Sequence, residues 1–312
     1  MVRTYQTVTY GCVGTKEAAV PDRGRATRLR ENGAMTEYAL FRAEGDLLVP
    51  QDIARSLWSE DQMHGVATSG ALARELEHAV ATLGRDDLRP ARYTVDLFRA
   101  PSMAACTVRS SVVREGSRLC LVDAVLEQDG RPVARAGAIF LASSDNPPGA
   151  VWASDEVPQP PPLELAAVSE EPRVPLFSSE DVGWSQVFAD HQNGSRKQTW
   201  QSALPIVLGE KASPFQSVAG VADSTNMVLN WGDRGVEFIN ADINLSLSRL
   251  PVSTEIGLSA RERFAHDGIA VGTAVVFDRE GPIGTSTVTA LANARRTVDF
   301  TQHDFGEEMA GA

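Results

Sequence analysis

An internal repeat at a fixed offset constrains this chain more than any single motif. Arg99-Ala100-Pro101 ends one alternating strand, TVDLFRAP, and Arg249-Leu250-Pro251 ends another, INLSLSRLP, 150 residues later. Downstream, Gly130-Arg131-Pro132-Val133-Ala134 answers to Gly281-Pro282-Ile283-Gly284, and Pro132 and Pro282 stand at the same separation. A register held over about 35 residues is the mark of one supersecondary plan used twice. A chain of 312 residues, 43% of them hydrophobic, has the material for two such cores.

The texture between the anchors is β. VRSSVV, RLCLVDAVLEQ and VARAGAIFLA in the first half face EIGLSARERF, IAVGTAVVFD and STVTALANA in the second, with turn signals at Asp129-Gly130 and Asp267-Gly268. A helical stretch precedes each meander, from Gly65 to about Leu83 and from Ser213 to about Leu229. In the first, Leu72, Leu76, Ala79, Val80 and Leu83 recur at helical spacing. Ser213-Pro214-Phe215-Gln216 offers the second an N-cap serine, a first-turn proline and a glutamine able to close a capping box. One helix followed by a long antiparallel meander predicts an α+β fold in which a sheet wraps a single helix. The small residues Gly65, Ala67, Ser69, Gly70, Ala71 and Ala73 would let strands approach the first helix closely. Each half is expected to open with a further strand or two, at Ala39 to Val49 and at Gln186 to Ala189 with Gln198 to Val207.

Residues 1–36 lack a helical or alternating pattern and read as a poorly ordered extension. Between the halves, residues 144–180 carry NPPG and PQPPP, a composition that favours extended polyproline conformation and marks a linker. The expected units are therefore 37–143 and 181–300, with a tail at 301–312.

The formal net charge of -12 opposes nucleic-acid binding, because no basic stripe offsets the field of the whole chain. Cys12, Cys106 and Cys120 are an odd number without metal-like spacing, which argues for neither a disulfide framework nor a metal site and suits a reducing cytoplasm. No run approaches the roughly 18 apolar residues of a membrane span, so no membrane partner is expected.

GDLLVP at Gly45–Pro50, WSEDQMHG at Trp58–Gly65, TVDLFRAP, SPFQSVAGVADSTN at Ser213–Asn226 and FINADINLSL at Phe238–Leu247 occur in an order that resembles the tandem, or double, hotdog acyl-CoA thioesterases. The resemblance covers roughly residues 37–300. It implies two tandem hotdog domains, hydrolysis of an acyl-CoA or acyl-carrier-protein thioester, no cofactor, and a monomer or a homodimer of tandem units. In that family an aspartate on the second helix, a Thr or Asn on the next strand and a Gln on a late strand hold the attacking water. By this resemblance the aspartate falls on Asp223 and the strand residue on Asn240. The glutamine is missing: the late strand offers Val288 or Thr289.

Thioester hydrolysis needs a base for water and a stabiliser for the oxyanion. Asp223, between apolar neighbours, is the expected base, since partial burial raises a carboxyl pKa. Asn240 would orient the water, and Thr289 would supply a weaker version of the missing amide's bond. Each has a plainer reading, as a mid-helix ion-pair partner, a turn former and an ordinary β-branched strand residue. His64, ahead of the first helix, is either a further general base or a cap. With Asp223 it would suit a double-hotdog dehydratase or cyclase, and loss of the glutamine would suit a catalytically silent acyl-binding protein. The position 150 residues before Asp223 is Ala73, so one active site is expected, at the junction of the halves. Arg99, Arg249, Arg295 and Arg296 are candidates for the substrate's phosphates, against a default of solvated surface charge.

Overall fold

A computed structural model describes residues 38–154, 156–169 and 171–301. Residues 1–37, including Cys12, and most of the tail lie outside the described residues. The first half runs β1 (Phe41–Glu44), β2 (Leu47–Pro50), β3 (Arg55–Ser56), β4 (Ser59–Met63), α1 (Gly65–Ala81), β5 (Leu88–Asp96), β6 (Thr107–Glu115), β7 (Leu119–Gln128) and β8 (Arg131–Ala142). The second begins with β9 (Leu176–Ser179), β10 (Val182–Ser185), β11 (Lys197–Ser202), α2 (Pro214–Val221) and α3 (Thr225–Asn230). It closes with β12 (Trp231–Gly232), β13 (Gly235–Val236), β14 (Phe238–Asn240), β15 (Asp242–Leu247), β16 (Glu255–His266), β17 (Ile269–Asp278) and β18 (Gly281–Ala292).

One antiparallel sheet carries both halves. Its order is β10-β9-β11-β16-β17-β18-β15-β5-β8-β7-β6, with β14 also paired to β18. The seam is β15 against β5, from Asp242 opposite Asp96 to Ser246 opposite Arg92. On β7 and β8 the alternation of buried and open positions follows the strand period of two, which turns Cys120, Val122, Ala124 and Leu126 toward the core.

The repeat offset holds to the residue in the late strands: β17 and β18 lie 150 positions after β7 and β8, end for end. Even the irregularities match. The register shifts between Leu126 and Glu127 opposite Pro132, and again between Val276 and Phe277 opposite Pro282. Proline brings no N–H to a ladder, so the same residue forces the same bulge in both copies. Asp129-Gly130 and Asp267-Gly268 both take positive φ at their two central residues, as a two-residue hairpin turn requires. They are not counterparts, however. The first joins β7 to β8 and the second joins β16 to β17.

α1 buries Leu72, Leu76 and Val80 against β6, β7 and β8, worth about 1.5–3 kcal/mol for each side chain. Its small residues admit both the expected strand and a second helix: Tyr93 Oη on β5 donates to the Ser69 carbonyl at 2.7 Å, and α2 approaches the same residue. Ser69 Oγ donates to the Ala219 carbonyl at 2.6 Å, across the repeat offset itself, and Val66 lies against Gly220. The helix expected from Ser213 to Leu229 breaks into α2 and α3 around a 3-10 turn at Ala222–Ser224. Ser213 caps it, with Oγ accepting from Gln216 N–H at 3.1 Å, but the box stays open because Gln216 Nε2 donates to Glu77 on α1 at 2.7 Å.

The early strands differ in detail. Ala39 to Val49 is a hairpin, β1 and β2, folded at Gly45 (φ 62°). Gln186 to Ala189 leads into a 3-10 turn, Phe188–His191, and β9 starts at Leu176, inside the stretch read as linker.

Candidate active site

Asp223 sits in the 3-10 turn where α2 gives way to α3. The turn carries the carboxylate across to the start of α1. There Val66 N–H, one of the unpaired amides of the first helical turn, donates to it. Gly65 makes the approach possible: a methyl at that position would overlap the carboxylate. Asn240 Nδ2, from β14, donates to Asp223 Oδ1 at 2.9 Å. Protein surrounds the carboxylate on most sides while one edge stays open to solvent. Burial pushes its pKa up to about 6, against the lowering pull of the Asn240 and Val66 bonds.

His64 adjoins this site as the N-cap of α1. Its Nδ1 accepts the Ala67 N–H at 3.0 Å, so Nε2 carries the proton and donates to the Ile53 carbonyl at 3.0 Å. Burial lowers its pKa, which keeps the ring neutral with both nitrogens engaged. Thr289 stands apart. On β18 the positions turned inward are Ser286, Val288 and Ala290, while Thr289 takes the opposite face. Its backbone N–H meets Asp242 Oδ1 at 2.5 Å, a role any residue but proline fills. The structure thus brings Asp223 and Asn240 together, sets His64 beside them as a cap, and leaves Thr289 out.

Of the arginines considered for phosphate, Arg249 has another use. It forms a bidentate pair with buried Asp278 at 2.6 and 2.7 Å. Burial alone would raise the Asp278 carboxyl, but Arg249 with the Val252 and Glu280 amides outweighs it and holds the pKa below the usual carboxylate range. Arg99, Arg295 and Arg296 are exposed.

Sequence reasoning missed two cavities. One, of about 490 Å³, is lined by Val228, Leu229 and Asn230 beyond Asp223, by Phe238 two residues before Asn240, and by Arg196 and Arg263. Arg263 lies over the Phe238 ring and donates to Asn230 Oδ1 at 2.8 Å. A smaller one, of about 180 Å³, is lined by His64, Val66 and Val221 among others. No sequence signal marks either, since their walls come from segments far apart in the chain.

Known proteins place this arrangement in context. The chain matches the model of the acyl-CoA thioesterase N-terminal domain over residues 54–141 and that of the acyl-CoA thioesterase C-terminal domain over residues 144–292. No curated protein matches it. Among solved structures it is similar to a tesB protein from Mycobacterium avium paratuberculosis, 15% identical over 81% of this chain and 95% of that one, with a TM-score of 0.58. It is also similar to an acyl-CoA thioesterase II, TesB2, from Mycobacterium marinum, 14% identical over 80% and 94%, TM-score 0.55. A protein of unknown function with a hot dog fold from Alicyclobacillus acidocaldarius is 17% identical over 81% and 95%, TM-score 0.55. At such identities the structures establish the shared fold alone.

Proposed function

Because the chain belongs to the tandem hotdog acyl-CoA thioesterases and is a thioester hydrolase, we propose that Asp223 is its general base, with Asn240 holding the attacking water. The observation that carries this is the part-buried Asp223–Asn240 bond of 2.9 Å set against the start of α1. Asp223 takes a proton from water as the oxygen attacks the thioester carbonyl, and the positive end of α1 favours the charge that gathers there. The carbon–sulfur bond then breaks, and the protonated carboxyl returns its proton to the leaving thiolate. Asn240 Oδ1 accepts the water's second hydrogen while Nδ2 keeps Asp223 oriented.

We read the two halves as hotdog units, residues 38–143 and 176–300, joined by the segment between them. α1 is the central helix of the first and the broken α2–α3 that of the second. The 150-residue correspondence of the late strands supports this. Coenzyme A suits the site as the acyl carrier, and its phosphates would meet Arg196 and Arg263 on the wall of the larger cavity in competition with Glu156, which lies 3.8 Å from Arg196. A dehydratase or cyclase would ask His64 to move a proton, and both of its ring nitrogens are engaged.

The test is thiol release from a panel of acyl-CoA thioesters by the wild type and Asp223→Asn, with acyl-CoA binding measured beside it. The variant is expected to lose about 100-fold or more in kcat and to keep its binding. Wild-type kcat should rise as pH passes up through about 6, where Asp223 ionises, and then level off. Unchanged turnover in the variant would remove Asp223 from the mechanism.

A further inference from the structure

Asp223 and Asn240 stand on different elements, so their 2.9 Å bond holds only while the turn at Ala222–Ser224 and β14 keep one spacing. β14 has little of its own to keep it there. It is three residues long, and among the described residues its ladder runs to β18 alone. A side chain of α3 supplies a second hold: Asn226 Nδ2 donates to the Phe238 carbonyl of β14 at 2.9 Å. Asn226 lies three residues past Asp223. One short stretch of chain therefore carries the carboxylate and also ties down the strand that bears its partner.

A row of polar side chains backs this contact. Asn230, one turn further along α3, donates from Nδ2 to Asn226 Oδ1 at 2.9 Å, and Arg263 on β16 donates from Nε to Asn230 Oδ1 at 2.8 Å. With each amide oxygen occupied, each Nδ2 is aimed at the next acceptor. Asn226 and Asn230 are only 5% and 8% exposed, and polar groups buried on a helix face cost stability unless they are paired. The other half does without them. The positions 150 residues earlier are Leu76 and Val80, both in the core, on the helix that carries no carboxylate.

Resting on the hydrolase reading above, we propose that Asn226, backed by Asn230 and Arg263, is a positioning residue for the reaction: it fixes β14 against α3 and so holds Asn240 on Asp223. It touches no reacting atom. A displacement of about 1 Å at such a pair costs up to about 100-fold in rate, so a contact outside the site governs it.

The test titrates the NMR resonance of the Asp223 carboxyl carbon, assigned with Asp223→Asn, in the full-length protein. Beside it, kcat and KM for an acyl-CoA are measured in the wild type, Asn240→Ala, Asn226→Ala, Asn230→Ala, and Asn226→Ala combined with Asn240→Ala. In the wild type the carboxyl titrates at about 6, with the Asn240 bond pulling it down. Asn240→Ala and Asn226→Ala should both move the midpoint up, because either one releases that bond. His64 and Tyr93 keep their protonation through this range, since burial opposes the charged form of each. In Asn226→Ala, kcat should fall about 30-fold with KM held within about twofold. The combined variant should lose no more than about twofold beyond Asn240→Ala alone. Asn230→Ala, which removes only the backing, should give a smaller change in the same direction, and it decides the matter if Asn226→Ala does not fold.

A midpoint that stays or falls in both Asn226→Ala and Asn230→Ala, or losses that add in the combined variant, overturns the positioning role and leaves the hydrolase standing. No thiol release by the wild type, with the midpoint raised in the variants, upholds the hold on Asn240 and sinks the hydrolase reading.

Discussion

Set side by side at their common offset, α1 and the α2–α3 pair show how one plan is divided between two duties. α1 is continuous for 17 residues, and the position matching Asp223 is Ala73, fully buried. Its counterpart breaks at Ala222–Ser224 and places a carboxylate in the break. The first helix contributes a glycine and open amides, and the second contributes the charge that meets them. The pairing is one-sided: the start of α1 lies against Asp223, whereas Gln216 near the start of α2 donates to Glu77 on α1.

A second matched pair makes the same point about stability. The last residue of β7 is Gln128 and that of β17 is Asp278. Gln128 Oε1 accepts the Ser102 N–H at 2.9 Å, and Asp278 Oδ2 accepts the Val252 N–H at 3.0 Å, again 150 residues on. The first copy is neutral and completes itself with the Ser102 and Ala104 carbonyls, whereas the second needs Arg249. The loops that follow β5 and β15 are thus anchored to the ends of β7 and β17 by different chemistry.

Substitutions that erase these differences rank by size. Ala73→Asp, which gives the first helix a carboxylate, should destabilise the protein by about 4 kcal/mol with no gain in hydrolysis. Phe215 stands near the start of α2 where α1 has Gly65, and no open site awaits the charge. Urea denaturation reads the loss. Arg249→Ala should cost about 3 kcal/mol by the same measurement, since it strands buried Asp278. Asp278 is held below its ordinary pKa, so the pair's contribution is present above about pH 4 and is lost as pH falls through the lower folded value. Gln128→Ala, without a charge to strand, should cost less than half as much. Gly65→Ala should lower kcat about 100-fold by displacing the Asp223 carboxylate, with the melting temperature little changed. Thr289→Val should leave kcat within about twofold, because the residue's contact is made by its backbone.

How much was legible depends on whether a feature is local or shared. Asp223 and Asn240 were nameable because a family pattern runs along the chain, and the pattern carries positions even without distances. The break of the helix at Asp223 was not nameable: Val221-Ala222-Asp223-Ser224 has no proline or glycine at the kink, and packing against α1 decides it. The capping role of His64 was one of two readings of the same residue. Only the Ile53 carbonyl, 11 residues away, chose between them by fixing the ring's tautomer.

By itself the sequence determined the repeat, its offset and the late strands, and a family pattern named the candidate site residues. The repeat and the strands follow from spacing, alternation and backbone chemistry, which act over a few residues. The tertiary structure alone decided that α2 joins the sheet at the small residues of α1, that Arg249 belongs to Asp278, that Thr289 faces away, and that two cavities form from segments far apart in the chain. Each of these depends on which side chains meet across more than a hundred residues of chain or on which face a strand presents, and such choices are settled by packing the two halves against each other.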